Sequence, residues 1–225
     1  MPKKGKKYRE EFENLPKEPV ALPQAIEAIK STKARKFDQS VELCMHLGID
    51  PKQADQMLRG SLSLPHGIGA TKRVIAFCSP EKVEAAKAAG AVEAGGEELV
   101  AKVEGGWMDF DVAIAEPAMM RVVSKLGRTL GPKGLMPSPK AGTVTPDVET
   151  AVKEYSAGKV EFRNDNGGNV AVIVGKHSFT PEQLTENAQA FIDHILRLKP
   201  SSTKGHYVKK VTMSATMTPS VYVQV

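Results

Sequence analysis

The spacing of apolar positions changes along this chain, and each change marks a different kind of structure. Leu22, Ala25, Ile26 and Ile29 recur at helical spacing around Pro23 and predict an amphipathic helix over 22–33. Phe37, Gln39, Val41 and Leu43 then alternate with Asp38, Ser40, Glu42 and Cys44, the period-two pattern of a strand with one polar face. Asp50-Pro51 reads as an N-cap and first turn, predicting a short helix over 50–58 that ends by Gly60. From Gly67 the pattern becomes strand and helix in alternation: strands at 74–78 and 111–115, helices at 80–89, 95–103, 117–126 and 146–156. Such alternation predicts a βαβ-type layer structure around a largely parallel sheet. Beyond Gly158 the pattern of the N-terminal piece returns. Strands at 159–163 and 169–175 flank Asn164-Asp165-Asn166-Gly167-Gly168, a hairpin signal. Thr180 as N-cap and Pro181 at the first position open a long amphipathic helix to about Leu198, and strand-like runs at 208–215 and 221–225 flank a turn at 216–220.

The fold class expected from this pattern is α/β with two domains. A discontinuous α+β domain is built from both chain ends, 1–67 plus 159–225, and a Rossmann-like three-layer α/β domain, 68–158, is inserted into it. Gly67 and Gly158 stand at the two joints and are the hinge candidates. Residues 1–9 read as a mobile basic arm. Neither a signal peptide nor an apolar run long enough to span a bilayer is legible, so the expected location is the cytoplasm and no membrane partner is expected.

Charge refines the picture. The net charge is +5, yet residues 68–159 hold 12 Lys and Arg against 12 Asp and Glu, whereas the flanking pieces together hold 19 against 14. The basic excess therefore belongs to the two ends, and a polyanion would find its main surface there. Lys30, Lys33, Arg35 and Lys36 cluster just before the Phe37 strand, where they could neutralise phosphates while Ser40 and Glu42 reach sugar hydroxyls or base edges. The alternative is a solvated helix end whose cations complement its dipole. Aromatics make up only 5% of the chain, which favours recognition by shape and backbone over base stacking, and Phe37 serves as core or as stacking platform.

A second basic feature is the stretch from Gly127 to Thr143, with glycines at 127, 131, 134 and 142 and prolines at 132, 137 and 139. Its composition predicts a loop of stiff turns, neither helix nor sheet, carrying Arg128, Lys133 and Lys140 without a carboxylate. It suits contact with phosphates, and equally a long connection crossing between two domains.

Enzyme chemistry finds little support. The five histidines are scattered, there is no Cys-x-x-Cys pair, and Cys44 and Cys78 sit in separate apolar stretches as reduced thiols, so no metal site or disulfide framework is expected. His66-Gly67-Ile68-Gly69-Ala70-Thr71-Lys72 lacks Walker spacing, and no G-x-G-x-x-G follows a predicted strand. No catalytic residue, cofactor or small-molecule substrate is therefore assigned. A nucleotide-dependent enzyme using the inserted domain, and a basic protein-interaction module, stand as alternatives to an RNA-binding protein.

Several stretches together carry a resemblance. They are Phe37-Asp38-Gln39-Ser40-Val41-Glu42-Leu43, residues 59–67, Gly105-Gly106-Trp107-Met108-Asp109-Phe110-Asp111, residues 127–143, residues 158–165, and Thr216-Met217 ahead of Pro219-Ser220. In this order they closely resemble the bacterial form of the large-subunit ribosomal protein one family, over essentially the whole chain. The resemblance implies a two-domain protein of the ribosome's mobile lateral stalk, whose terminal-pieces domain binds large-subunit (23S-type) rRNA. It further implies help in releasing deacylated exit-site tRNA, and repression of translation by binding its own operon mRNA. Carried over by position, rRNA contacts would come from Lys36, Phe37, Ser40 and Glu42 near the early strand, from Glu161 and Arg163 in the hairpin, and from Thr216, Met217 and Thr218 in the late turn. Arg128, Lys133 and Lys140 would add secondary RNA contacts. Thr218 departs from the family's pattern, which has glycine there, so its Cβ and hydroxyl are expected to bear on how closely RNA approaches.

Overall fold

The computed structural model describes residues 5–33 and 35–225, and their apolar alternation explains the first layer. In β1 (Ser40–Leu47), Val41, Leu43, Met45 and Leu47 turn inward and are each no more than 1% exposed. β1 pairs antiparallel with β7 (Asn169–Lys176) on one side and β8 (Val208–Ala215) on the other, and β9 (Val221–Val223) completes the order β7-β1-β8-β9. Two helices, α2 (Leu22–Lys30) and α8 (Pro181–Arg197), share one core with the inward residues of these strands. α8 begins with a full capping box: Gln183 N–H donates to Thr180 Oγ1 at 3.3 Å while Thr180 N–H donates to Gln183 Oε1 at 3.0 Å, with Pro181 in the first turn. The opposite sheet face stays open. Glu42, Ala171 and Lys210 are exposed there, and Cys44, His46, Ile173, Thr212, Ser214 and Tyr222 are only half-buried. An antiparallel sheet tolerates this because its alternation can place polar groups on one side alone.

Two sequence expectations fail in this first unit through local hydrogen bonding. Residues 51–56 form turns, not a helix: Asp50 accepts Lys52 N–H at 3.1 Å and Gln53 Nε2 at 3.2 Å, while Gln56 Oε1 accepts Asp50 N–H at 2.9 Å. Side-chain acceptors here displace the helical ladder. Gly60, expected to end that helix, lies within a strand, β2 (Arg59–Leu62). The expected hairpin at 159–175 is also different. β6 (Val160–Arg163) pairs with β2, not with β7, and only one bridge, Asn164 to Val170, joins the two flanks of the turn. The Asp165 carboxylate holds the turn by accepting from Gly167 N–H and Asn169 N–H, both at 2.8 Å, and from Asn169 Nδ2 at 2.9 Å. Of the expected basic arm, residues 1–4 lie outside the described residues and Lys6–Asn14 forms a helix, α1, anchored by buried Glu11.

The second unit, Ala70–Lys159, is organised differently. β3 (Val74–Phe77), β4 (Glu93–Gly95) and β5 (Val112–Ala115) form a parallel sheet in the order β4-β3-β5. Val74, Ala76 and Ile114 pack against α3 (Val83–Ala88) and α7 (Val148–Ser156) on one face. On the other, Ile75, Phe77 and Ala113 meet α4 (Glu97–Glu104) and the helical segment that follows Pro117. Burial on both faces explains why Val-Ile-Ala-Phe and Val-Ala-Ile-Ala read as continuous apolar runs. β4 falls at the start of the helix expected over 95–103. The helix expected over 117–126 breaks into 3-10 turns and α5 (Met120–Val123), then runs on into α6 (Gly127–Leu130). The stretch expected to be all loop therefore begins as helix and contains a 3-10 turn, Pro139–Ala141. Leu126 and Leu130, one turn apart and both fully buried, outweigh the poor helix propensity of Gly127.

The unit boundaries fall at Gly69/Ala70 and Lys159/Val160. Ile68, expected in the inserted domain, joins the core of the first unit at 6% exposure, and Gly69 lies so close to the Phe179 ring that a Cβ would sit 2.7 Å from its Cε1. Lys159 stays with the second unit, its ammonium 2.6 Å from Glu154.

Candidate nucleic-acid interface

One end of the open sheet face is tied together by hydrogen bonds among three chain segments. Ser40 N–H donates to Thr216 Oγ1 and Thr216 N–H donates to the Ser40 carbonyl, both at 3.1 Å. Gln39, only 2% exposed, accepts Met217 N–H on Oε1 at 3.1 Å and His177 N–H on its carbonyl at 2.8 Å. Asp38 accepts both the backbone N–H and the hydroxyl of Ser178, at 3.1 and 2.7 Å. Lys176 donates to the Ser40 hydroxyl at 2.9 Å. These bonds fix the backbone at this edge, so the side chains left pointing outward are held on a stiff frame.

Those outward side chains are chemically diverse. Phe37 is 50% exposed and Met217 56%, two of the large apolar side chains that the fold leaves on the surface. Lys36, Glu42 and Thr216 are exposed beside them in sequence, and Ser40 is half-buried. The strand begins at Ser40, so Phe37 lies in a bend ahead of it and does not continue the inward alternation as expected. Of the two roles open to Phe37, core is thereby excluded. An aromatic face, a thioether, an ammonium, a carboxylate acceptor and hydroxyls together match an unstacked base, a phosphate and a ribose 2′-OH.

The basic cluster is not what its sequence proposes. Lys30 donates to the Phe179 carbonyl. Lys33 pairs with Glu10 at 2.7 Å, and Arg35 grips both oxygens of buried Glu11 at 2.8 Å while reaching the Met217 carbonyl at 3.5 Å. Three of the four cations thus serve the fold, and Lys36 alone has no partner among the described residues. Helix α1 supplies the missing carboxylates, a long-range pairing with no sequence signal. Gln39 and Asp38 are supports that the sequence pattern does not single out as functional. Gln39 has a signal all the same, since a polar residue occupies the inward phase of an apolar alternation.

Thr218, in place of the family glycine, is 8% exposed and folds back into its own turn, its hydroxyl accepting Ala215 N–H at 2.9 Å. It adopts no positive φ, and it is buried beside the exposed Met217. Glu161 and Arg163 lie apart from this frame, on the separate β2–β6 sheet. In the second unit, Arg128, Lys133 and Lys140 lie on a segment fixed from within: Tyr155 OH donates to the Ala141 carbonyl at 2.5 Å, and Ser138 N–H donates to Thr143 Oγ1 at 2.8 Å. Arg128, Lys133 and Lys140 are all exposed there. Of the hinge candidates, Gly67 has φ +63° and its carbonyl accepts Asn187 Nδ2 at 2.9 Å, while Gly158 has φ +104°.

Titration is perturbed mainly for structural reasons. Burial pushes the Cys44 thiol up, with the Asp165 and Glu42 charges adding to it, and burial pushes Cys78 up as well, which keeps both thiols protonated and poor nucleophiles. The Lys82 ammonium and the Ser79 N–H and hydroxyl hold the Glu116 carboxyl below its usual range. Among the described residues no group of three or more His, Cys, Asp or Glu could hold a metal ion, and no helix is long and apolar enough to cross a membrane.

The chain matches relatives along nearly its whole length. It is 51% identical over 221 residues to the large ribosomal subunit protein uL1 of Nocardioides sp., covering 98% of this chain and 92% of that one. Identity to the protein of the same name from Mycobacteroides abscessus is 50% over 224 residues, covering 99% and 95% of the two chains. With that of Clavibacter michiganensis it is 51% over 223 residues, covering 99% and 98%. The model of the ribosomal protein L1p/L10e family matches residues 29–219, a span that takes in the Ser40–Thr216 frame and all of the second unit, and this chain belongs to that family.

Proposed function

We propose that this chain is a structural constituent of the large ribosomal subunit, in the cytoplasm, and that it holds large-subunit rRNA on the Ser40–Thr216 end of its open sheet face. The chain is not an enzyme, since its family is one of structural ribosomal proteins. The observation that carries the RNA reading is the outward pair Phe37 and Met217, half exposed and mounted on a hydrogen-bonded frame. Bases stack on Phe37 and Met217, Lys36 meets a phosphate, and Glu42, Ser40 and Thr216 take ribose or base-edge hydrogen bonds. Thr218 acts indirectly by bracing the turn. Arg128, Lys133 and Lys140 add backbone contacts from the second unit.

Within that role, the family resemblance supports three finer proposals: the protein forms the mobile stalk, assists release of deacylated tRNA from the exit site, and represses its own operon by binding a similar element in the mRNA. Gly67 and Gly158 are the proposed hinge positions for stalk movement.

The test is the affinity of the full chain for the stalk fragment of 23S-type rRNA against an unrelated hairpin of equal length, at two salt concentrations. Preference for the stalk fragment that survives high salt is expected, because stacking and hydroxyl contacts are less salt-dependent than phosphate contacts. Equal, salt-labile binding to both would reduce the surface to generic electrostatics and overturn the reading.

A further inference from the structure

Arg59 and Arg163 face each other directly across β2 and β6. Their neighbours set the spacing. Asn164 N–H donates to the Leu58 carbonyl at 3.0 Å and Leu58 N–H donates to Asn164 Oδ1 at 2.9 Å, so Leu58 and Asn164 occupy a hydrogen-bonded site of the ladder. Bonded and non-bonded sites alternate in antiparallel pairs, which puts the two arginines at a non-bonded site, where Cα atoms approach to about 4.5 Å and side chains are closest.

The same alternation sets their direction. Phe162 is 3% exposed and meets the Phe191 ring edge-on with centroids 5.8 Å apart. Opposite it, Gly60 leaves room for that ring, since a Cβ there would lie 2.9 Å from Phe162 Cζ. Gly60 and Phe162 therefore mark the inward face, and Arg59, Ser61, Glu161 and Arg163 share the outward one. Neither guanidinium forms an ion pair with any described residue.

Two like charges at the closest cross-strand spacing destabilise a sheet, and a neutral residue at either position would remove the repulsion. An anion lying between them turns that repulsion into charge-assisted hydrogen bonds, and the planar guanidinium fork matches the paired oxygens of a phosphate. Ser61, in the next outward pair, supplies a hydroxyl of the kind that suits a ribose 2′-OH.

We propose that Arg59 and Arg163 form a two-guanidinium clamp for one phosphodiester of an RNA backbone, and that the free protein tolerates their mutual repulsion for the sake of this contact. The proposal rests on the RNA-binding reading above and adds Arg59, acting jointly with Arg163, to the contact surface.

The experiment uses the full chain as wild type, Arg59→Gln, Arg163→Gln, the double variant and Arg59→Lys. Binding to the 23S-type stalk fragment is measured by calorimetry at two salt concentrations. Unfolding midpoints are measured without RNA, in chloride and in inorganic phosphate of equal ionic strength. Each single Gln variant is expected to bind about 10-fold more weakly, with a salt slope smaller by about one phosphate. The double variant should lose little more than either single, because half a clamp does not grip. Arg59→Lys should fall between wild type and Arg59→Gln, having kept the charge and lost the fork. Free Gln variants should unfold at the same temperature as wild type or higher, and should lose the extra protection that phosphate gives the wild type.

Unchanged affinity in both single variants, fully additive losses, or a marked fall in midpoint for both would overturn the clamp, the last by showing the pair to be structural. If wild type shows no preference for the stalk fragment, the RNA reading fails separately. Phosphate protection that depends on both arginines would then still uphold the clamp, and its absence would sink it.

Discussion

The two sheets at the centre of the two units spend their apolar residues in opposite ways. β3 and β5 bury every residue, because helices cover both faces of a parallel sheet. β1 and β8 bury alternate residues against α2 and α8 and leave Glu42, His46, Lys210, Thr212 and Ser214 facing outward. A covered sheet can offer ligands only its ends and loops, and Arg128, Lys133 and Lys140 lie outside its strands. An open sheet offers a face, and the basic excess of the chain lies in the same pieces that build it. The difference teaches that, on the proposed reading, stability and recognition are carried by different residues in the first unit, on opposite sides of the same strands, whereas in the second unit the sheet carries stability alone.

The contrast can be broken most severely at Phe77. Phe77→Ala removes a fully buried ring from the covered sheet and should cost about 3–5 kcal/mol in urea unfolding of the full chain, whereas Thr212→Ala on the open face should stay within about 0.5 kcal/mol. A large loss at Thr212 would show that the open face is structural after all. Replacing Phe37 and Met217 together by alanine should reverse the pattern. Affinity for the rRNA stalk fragment should drop about 10- to 100-fold, with a stability change within about 0.5 kcal/mol.

Between these extremes lies Gln39→Ala, which strips the buried acceptor from Met217 N–H. It should cost about 1–3 kcal/mol and weaken RNA binding as well, since the frame and the contact share that residue. A variant that loses stability but binds normally would detach the frame from the interface.

The smallest effect is a pH dependence confined to the covered unit. Glu116 has a folded-state pKa held below 4.5, so its ion pair and hydrogen bonds add stability above that pH, and this stability is lost as pH falls through the lowered value. Glu116→Gln should be about 1 kcal/mol less stable than wild type at pH 7, with the gap closing on acidification, as followed by thermal unfolding across pH. RNA affinity at neutral pH should not change.

Much of the fold was legible because strong local signals coincided with burial. The Thr180-Pro181-Glu182-Gln183 start of α8, the helical spacing of Ala25, Ile26 and Ile29, and the apolar runs of β3 and β5 all say locally what the tertiary structure also demands. Elements were missed where the two diverge. β2 has no apolar alternation to announce it, and what makes it a strand is its pairing with β6, with the Phe162 ring lying over Gly60. β4 is three residues long, too short to show a period. The Asn164–Gly168 turn is real, yet the strands it joins leave for different sheets because β1 and β2 each offer a partner.

The candidate interface divides in the same way. Alternation from Val41 to Leu47 settles which side of β1 faces water, and family resemblance directs attention to Phe37, Thr216 and Met217. By itself, then, the sequence determined the family, the expectation of an α/β chain with its basic excess at the two ends, and the inward and outward phase of most strands, because periodicity and composition are properties of neighbouring residues. Only the tertiary structure decided which charges are free. Lys33 and Arg35 are consumed by Glu10 and Glu11 from more than twenty positions away, Phe37 is released from the core by a strand that starts three residues later, and Arg59 meets Arg163 across about a hundred residues of intervening chain. Coulomb interaction and packing act on distance in space, and for these residues distance along the chain says nothing about it.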